Sequence, residues 1–414
     1  MSEKTVPRVR FEGFEDKWIE INIGDNSNIF AGGTPSTKVT SYWEPKEVPW
    51  LSSGEVHKKN IYTTDDSISL EGLNNSSARW IKPNSLLIAL AGQGKTRGTV
   101  AVNKIPLTTN QSVAAIEVNE KIYYNFLFKN LENRYEELRL MSAGDGGRGG
   151  LNNKIISKIN IIKPTQIIEQ QKIGKYFESL DSYIFNNNKK IKKMKNLKQA
   201  MLQKMFPKEE ENEPEVRFEG FDGEWRLVKL KDLGNTFTGL SGKTKKDFGH
   251  GDAEFITYMN VFSNAIAMDN QTDKVEIDNK QNPVQYGDIF FTTSSETPEE
   301  VGMSSVWVGN KKNVYLNSFC FGYRPFAELN PYYMAYMLRS PVVREKFVIL
   351  AQGISRYNIS KTKAMEISVY LPSNEEQVKI GNFFKGLDNK IELEERNLEK
   401  LKQFKKAMIQ KMFV

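Results

Sequence analysis

Cysteine and histidine are nearly absent from this 414-residue sequence. Cys320 is the single cysteine, and His57 and His250 are the only histidines. One cysteine excludes disulfide bonds within the chain and fits a reducing compartment. Three such residues are also too few for a zinc site with four Cys or His ligands. Both histidines lie in polar stretches, so a histidine-based catalytic triad is not expected.

Long apolar runs are missing as well, and no segment approaches the length that spans a membrane. The first residues contain no apolar core of a signal peptide, so we expect a cytoplasmic protein without a membrane partner. Hydrophobic residues make up 39% and charged residues 26%, which is ordinary for a globular chain. The net charge of +7 permits a polyanionic partner without requiring one.

Motifs for nucleotide or methyl-donor chemistry are incomplete. Gly94-Lys-Thr follows an apolar stretch, but Ala89 stands where a phosphate-binding loop needs glycine. Gly242-Lys-Thr has Phe237 at the corresponding place. Asn330-Pro-Tyr-Tyr resembles the Asn-Pro-Pro-Tyr motif of amino-methyltransferases, but a helix cap with proline in the first turn explains it better. We find no catalytic constellation and expect a non-catalytic chain.

The sequence is written twice. Val9–Phe14 recurs as Val216–Phe221, and Ala200–Phe206 recurs, with one conservative change, as Ala407–Phe413. Each pair is separated by 207 residues, which is half of the chain. A repeat of this length is a whole domain and not a solenoid unit. Two related domains predict pseudo-two-fold symmetry, a suitable arrangement for holding a target with two similar ends.

Each copy ends in a stretch with apolar residues at alternating spacings of four and three, which is a heptad pattern over more than four heptads. We predict that these two helices pair antiparallel. Polar residues interrupt both at equivalent places, and the predicted register puts Lys198 opposite Glu394 and Asn187 opposite Lys405. Polar side chains that bend out of the interface are the alternative. The residues predicted for helix pairing are Phe177, Leu180, Ile184, Asn187, Lys198, Phe384, Leu387, Ile391, Glu394 and Lys405.

The remaining pattern in each copy alternates short strand-like runs, turns and a helix, so we predict an α+β fold. It consists of two mixed α/β domains separated by two long antiparallel coiled-coil helices. Between the copies lies an acidic stretch with two prolines, which cannot bury apolar surface. The predicted boundaries are 1–164 for the first domain, 165–206 for the first helix, 207–215 for the linker, 216–372 for the second domain and 373–414 for the second helix.

Several loops combine glycine with cationic and amide side chains. Glycine lets the backbone approach phosphate closely, arginine can contact guanine, and asparagine or glutamine can contact adenine. Ordinary surface loops are the simpler interpretation of each one taken alone. The candidate DNA-binding residues are Gln93, Lys95, Arg97, Arg148, Asn152, Asn153, Lys154, Lys243, Lys245, Lys246, Ser355, Arg356, Asn358 and Lys361.

Taken together, these motifs resemble the specificity subunit of type I restriction-modification systems over nearly the whole chain. They include the repeated Arg-Phe-Glu-Gly-Phe openings, Gly32–Thr37, the helix entries Glu169–Gly174 and Glu375–Gly381, and the Gln-Lys-Met-Phe helix ends. The second copy departs from the first at Thr238–Gly242, which we interpret as a different half-site.

The resemblance implies two target-recognition domains, each reading one half of an asymmetric, bipartite site in double-stranded DNA. It also implies that the helices set the half-site spacing and dock two methylation subunits, which bring S-adenosylmethionine. Restriction subunits in the full complex bring ATP and Mg²⁺. No cofactor, metal or catalytic residue belongs to this chain on this interpretation. The alternatives are a structural coiled-coil scaffold or unpaired specificity subunit, and an ATP- or S-adenosylmethionine-dependent enzyme.

Overall fold

Two compact units make up the computed structural model of the protein, which describes residues 6–92, 96–141 and 150–414. The first unit contains residues 1–187 and 397–414, and the second unit contains residues 188–396. The units do not follow the sequence repeat, because their boundary falls inside both long helices. Each unit therefore combines a mixed domain with parts of both helices.

The first unit is built on small mixed sheets. Its central strand Leu86–Ala89 is entirely buried, as expected for an uninterrupted apolar run. In spatial order the five-stranded sheet consists of Ser27–Ala31, Val113–Val118, Leu86–Ala89, Val100–Asn103 and Asn60–Ile61, with only the last pair parallel. A three-stranded sheet contains Asp66–Ile68, Val48–Leu51 and Thr108–Thr109, and an antiparallel ribbon joins Ile19–Asn22 to Asn160–Lys163.

The second unit repeats this plan. Its central strand Ile289–Thr292 is again fully buried. The four-stranded antiparallel sheet runs Gly234–Thr238, Cys320–Pro325, Ile289–Thr292 and Ser304–Val306. A three-stranded sheet contains Thr272–Val275, Phe248–Ile256 and Val314–Leu316, and two-stranded ribbons join Arg226–Lys229 to Ser368–Leu371 and Ser294–Ser295 to Tyr357–Asn358.

Short helices cover these sheets. The residue pattern predicts one helix over 124–141 and one over 331–350, and the structure divides each of them in two. The sequence pattern indicated one helix from Pro331 to Leu350, but Pro341 starts a new helix because proline fits only the first helical turn. Asn330 caps the first of these helices through the amide of Tyr333 at 2.9 Å, as predicted. The short helices are Leu70–Asn74, Tyr124–Asn133, Tyr135–Met141, Asn153–Ser157, Tyr258–Ser263, Pro331–Met337, Pro341–Ile349 and Lys361–Met365.

The two long helices are continuous over Ile167–Lys204 and Asn374–Met412. Their predicted seam positions are buried or half-buried, whereas most other positions in the middle of each helix are exposed. Phe177 and Phe384 are fully buried at the start of each seam. The α+β architecture with two mixed domains and two long helices is therefore confirmed.

Contacts within each unit show that the long helices run antiparallel. In the second unit, Lys190 binds Glu394 at 2.6 Å, and further along the same helix Lys198 binds Asp388 at 2.6 Å. In the first unit, Lys405 binds Asp181. Partner numbers thus fall along one helix as they rise along the other.

The two predicted polar contacts are wrong. Lys198 pairs with Asp388 and not with Glu394, and Lys405 pairs with Asp181 and not with Asn187. The Asn187 side chain instead donates to the carbonyl of Tyr183 at 3.0 Å. The prediction matched polar seam residues with each other. However, the lysine stems reach aspartates that directly follow a seam leucine and lie at the edge of the interface.

Most of the repeated motifs have equivalent roles in the two units. Arg10 holds Glu169 through two hydrogen bonds of 2.6 and 2.8 Å, and Arg217 holds Glu376 through two of 2.8 Å. Each arginine thereby fixes the opening segment of its copy to the first turn of the following long helix. Bidentate arginine–carboxylate pairs of this kind give geometric specificity as well as energy.

Each Gln-Lys-Met-Phe helix end packs into the core of the unit that contains the mixed domain of the other copy. The Phe413 ring lies 5.3 Å from that of Phe126 and 5.8 Å from that of Phe177 in the first unit. Phe206 packs in the same way against Tyr333 and Phe384 in the second unit. Each long helix therefore starts in the unit of its own domain and ends in the core of the other unit.

Candidate nucleic-acid interface

Loops from distant parts of the sequence meet at one edge of the first unit. The Gly33 amide donates to the carbonyl of Thr109 at 2.8 Å, and the Leu90 amide donates to the carbonyl of Ser112 at 2.8 Å. A Cβ placed on Gly150 would lie 3.4 Å from the carbonyl oxygen of Leu90. We call this region the first loop edge; it comprises residues 32–36, 90–92, 96–98, 109–112 and 150–154.

The second unit has an equivalent edge. The Leu240 amide donates to Leu316 at 2.7 Å, the Thr293 amide to Phe319 at 3.1 Å, and the Ile359 amide to Thr293 at 3.0 Å. The short ribbon of Ser294–Ser295 with Tyr357–Asn358 joins the last two segments. We call this region the second loop edge; it comprises residues 238–247, 293–303, 317–319 and 352–361.

Two glycines at corresponding positions allow each edge to form. A Cβ on Gly32 would lie 2.1 Å from the carbonyl oxygen of Thr109, and a Cβ on Gly239 would lie 2.0 Å from that of Asn317. Any other residue would collide with backbone there. The two glycines are 207 residues apart, like the asparagines Asn110 and Asn317 in the adjoining turns. The frame of the loop edge is therefore the same in both copies.

Side chains differ between the two edges. In the first, the Thr34 hydroxyl donates to the amide oxygen of the exposed Gln111 at 2.5 Å. In the second, the corresponding turn exposes Ser318 and Phe319. One backbone frame thus presents a hydrogen-bonding surface in one unit and a partly aromatic surface in the other.

Only some of the predicted residues in the first unit lie among the described residues; Gln93, Lys95 and Arg148 lie outside them. Arg97 is half-buried beside Gly98. Asn152 caps the short helix Asn153–Ser157, accepting from the amide of Ile155 at 2.9 Å. Asn153 is half-buried and Lys154 is exposed. The side-chain oxygen of Asn152 is therefore engaged by the helix, and its amide nitrogen is the group that can donate to a ligand.

Predicted lysines of the second unit differ in how available they are. Lys243 binds Asp278 at 2.8 Å, and this hydrogen bond lowers the pKa of the aspartate to about 2. Lys245 and Lys246 are exposed. Their short turn is fixed because Asp247 accepts from the amide and hydroxyl of Thr244 at 2.6 and 2.8 Å. Lys245 and Lys246 therefore present the more accessible positive charge.

The other predicted segment of the second unit lies against the hairpin loop 293–303. Ser355 and Arg356 are exposed, Asn358 is in the short ribbon, and Lys361 is the first residue of a helix capped by Ser360. The turn formed by residues 317–319 adjoins both Gly239 and Thr293. It therefore connects the two segments that the sequence singled out separately.

Two arginines that position the second loop edge were missed. Arg344 donates to the carbonyls of Glu299, Val301 and Gly302 at 2.6 to 2.9 Å and holds the hairpin loop in place. Arg339 donates to Ser304 at 2.7 Å and to the carbonyls of three residues between 261 and 264. Burial lowers the pKa of both guanidinium groups to about 10, so they remain charged at neutral pH. The repeat gave no signal, because the first copy has glutamates at both positions.

Neither a metal cluster nor a membrane-spanning helix occurs in the described parts of the chain. Over residues 6–92, 96–141 and 150–414, no three His, Cys, Asp or Glu side chains are grouped so that they could hold a metal ion. Among the helices of the same residues, none combines the length and apolar character needed to cross a lipid bilayer.

A known protein family matches both copies. The sequence profile of the type I restriction modification DNA specificity domain covers residues 15–196 and again 222–403. The two matches include both loop edges and most of both long helices.

Individual relatives agree with this match. The MjaVIII specificity subunit of a type I restriction enzyme from Methanocaldococcus jannaschii is 21% identical over 95% of this chain and 91% of its own length. The EcoR124I/EcoR124II specificity subunit from Escherichia coli is 26% identical over 162 residues. That alignment covers 39% of this chain and only 40% of the relative.

Solved structures show the same fold. The S subunit of a type I restriction-modification system from M. genitalium superposes with a TM-score of 0.59 at 13% identity, covering 99% of both chains. A chain from a study of assembly and conformational transition of the type I R-M system gives 0.53 at 16% identity, covering 96% of this chain and 97% of that chain.

Proposed function

Because the chain belongs to the type I restriction modification DNA specificity family, we propose that it selects the DNA site for a restriction-modification complex. Residues 1–164 and 216–372 act as two target-recognition domains on double-stranded DNA. Each reads one half of a bipartite, asymmetric site. The chain itself recognises and does not catalyse, so the enzyme alternative is not retained.

The observation that carries this proposal is the duplicated loop edge. Gly32 and Gly239 let the backbone approach the same turn in each unit, and Asn110 and Asn317 occupy equivalent places in that turn. A frame that is kept while its exposed side chains change is what two readers of different sequences require. A scaffold that only held partners together would not need the same backbone frame beneath loops whose side chains differ.

The charge on the second loop edge fits a nucleic acid. Lys245, Lys246 and Arg356 are exposed cations on loops, where they can reach phosphates. Asn358 and Ser355 add side chains that hydrogen-bond to base edges or phosphates. Arg339 and Arg344 contribute differently, because their guanidinium groups are occupied by protein carbonyls and fix the loop that the DNA meets.

The long helices, with the predicted segments 165–206 and 373–414, act as a spacer. A continuous helix of 38 or 39 residues is about 57 to 59 Å long. Half-sites on one face of B-DNA lie about 34–36 Å apart per helical turn. The seam residues hold the helices together, so the half-site spacing depends on helix length.

Two methylation subunits dock on this chain and supply S-adenosylmethionine. Restriction subunits, where present, supply ATP and Mg²⁺, and the complex works in the cytoplasm. The partners' chemistry explains why no cofactor is assigned to this chain. A structural coiled-coil scaffold, or a specificity subunit without active partners, is the second possibility, and the two long continuous helices are the feature that favours a scaffold role.

The test is to map methylated bases in cells that produce the methylation subunits with and without this chain. We expect a bipartite motif with a fixed gap that disappears when the chain is omitted. A triple variant with Lys245, Lys246 and Arg356 replaced by alanine should lose methylation, whereas Lys402→Ala on the exposed face of the long helix should keep it. A motif that persists without the chain would contradict the proposal.

A further inference from the structure

The turn of residues 317–319 carries an aromatic side chain on the second loop edge. Phe319 is 61% exposed, although exposed phenylalanine is unfavourable in water. The corresponding residue of the first unit is Ser112, which is half-buried. The frame of the turn therefore does not require an aromatic ring at this place.

The backbone around Phe319 is firmly held. Asn317 accepts from the Phe319 amide at 2.9 Å and donates to the carbonyl of Ile256 at 3.0 Å. The Phe319 carbonyl accepts from the amide and hydroxyl of Thr293 at 3.1 and 2.8 Å. Gly239 packs against the carbonyl of Asn317. Both backbone groups of Phe319 are thus satisfied, and the ring projects from a preorganised position.

Asn110 builds the first turn by the same contact, because its side-chain oxygen accepts from the amide of Ser112 at 3.1 Å. The exposed residue in that turn is Gln111, an amide side chain of the type that reads base edges by hydrogen bonds. In the second turn, Ser318 replaces the glutamine and Phe319 replaces the serine. The same turn therefore changes from amide to aromatic chemistry between the copies.

We propose that Phe319 is a specificity-determining residue of the second recognition domain and contacts DNA bases through its apolar ring. This inference rests on the proposed function and assigns a base contact to one residue of it. A phenylalanine cannot bind phosphate, but it can contact a thymine methyl group or insert between bases. The turn that carries Phe319 contacts Gly239, which precedes Lys245 and Lys246 in the chain. It also contacts Thr293, which accepts from the amide of Ile359 near Arg356. The exposed cations of these two segments would hold the flanking phosphates.

The matched control is another exposed phenylalanine in the same unit. Phe319 and Phe326 directly flank the strand Cys320–Pro325, and Phe326 is 66% exposed. Seven residues of extended chain separate the two rings by roughly 20 Å. Phe326→Ser therefore removes the same apolar surface at the end of the strand away from the loop edge.

The experiment selects DNA from a randomised duplex library with the full chain bound to its methylation subunits. The wild-type complex should yield a bipartite motif. Phe319→Ser should lose base preference at one or two positions of one half-site and bind the wild-type motif about tenfold more weakly, the usual effect of one base contact. The other half-site, and both half-sites with Phe326→Ser, should be unchanged. Phe319→Leu should keep part of the preference.

The dependence of affinity on salt separates a base contact from a phosphate contact, because loss of a ring releases no counterions. We expect the same slope for Phe319→Ser as for the wild type. Uracil in place of thymine then identifies a methyl contact if affinity falls as in Phe319→Ser, and insertion between bases if affinity is unchanged. If the wild type gives no motif, the proposed function fails. If the wild type gives one that Phe319→Ser leaves intact, only the assignment of Phe319 fails.

Discussion

Asp388 connects two side chains in the second unit, and its replacement gives the sharpest test of the helix pairing. Its carboxylate accepts from Lys198 at 2.6 Å and from the Tyr336 hydroxyl at 2.9 Å. The lysine and aspartate side chains are 25% and 35% exposed, while Tyr336 is only 2% exposed. Burial and the neighbouring carboxylate raise the pKa of Tyr336, so its hydroxyl remains a donor.

The two contacts have different energies. Solvent screens the partly exposed ion pair, so its loss should cost about 1 kcal/mol or less. A buried tyrosine hydroxyl without an acceptor costs about 1–3 kcal/mol. Asp388→Asn removes the charge but keeps an acceptor oxygen, whereas Asp388→Ala removes both. For a unit of this size, 1 kcal/mol shifts the Tm by about 2–4 °C. We therefore expect a decrease of about 2–4 °C for asparagine and roughly 5–10 °C for alanine.

Thermal unfolding of the full chain, followed by circular dichroism, measures these shifts. Glu392→Gln is the control, because it removes one negative charge from an exposed position on the same helix. It should leave the Tm unchanged. Equal decreases for asparagine and alanine would refute the role assigned to the tyrosine hydroxyl. A Tm of the alanine variant equal to that of the control would refute the observed register.

Three other predictions concern the spacer and the DNA contacts. Deleting residues 187–193 together with 394–400 removes one heptad, about 10 Å, from each helix, so the gap between half-sites should shorten by about three base pairs; an unchanged gap in the methylated motif argues against the spacer. A fragment of residues 1–207 should dimerise, since Lys198 of one copy can replace Lys405 opposite Asp181 of the other, and the dimer should bind a symmetric site; sedimentation as a monomer at micromolar concentration would contradict this. Arg356→Ala should weaken DNA binding and reduce the salt slope by about one if the contact is to phosphate, as titrations at several salt concentrations will measure.

The sequence predicts the long helices well because their signal is periodic. Phe177 and Phe384 occupy equivalent seam positions, and the structure buries both. The partners of Lys198 and Lys405 were not predictable in the same way, because Asp181 and Asp388 lie outside the seam. Their importance depends on the reach of lysine side chains from the other helix, which the heptad pattern does not describe.

The loop edges illustrate a second limit. The repeat marks Asn110 and Asn317 as equivalent. The run of apolar and aromatic residues from Val314 to Tyr323 predicts one continuous strand. The sequence offers no sign that Asn317 interrupts that strand to build the turn with Phe319. Nor does it show that Arg344 reaches back across more than forty residues to hold a hairpin. Such contacts depend on the tertiary arrangement and have no local pattern.

The first unit is built from two separate parts of the chain. This affects the order in which the two units can fold during synthesis. Its core includes Phe413, and the Val9 amide donates to the carbonyl of Lys411 at 3.0 Å. The ribosome makes these residues after the whole of the second unit, so the N-terminal domain must wait for the final turns of the second long helix. The second unit, which ends at residue 396, has no such dependence. Removing residues 405–414 should therefore damage the N-terminal domain before the C-terminal one.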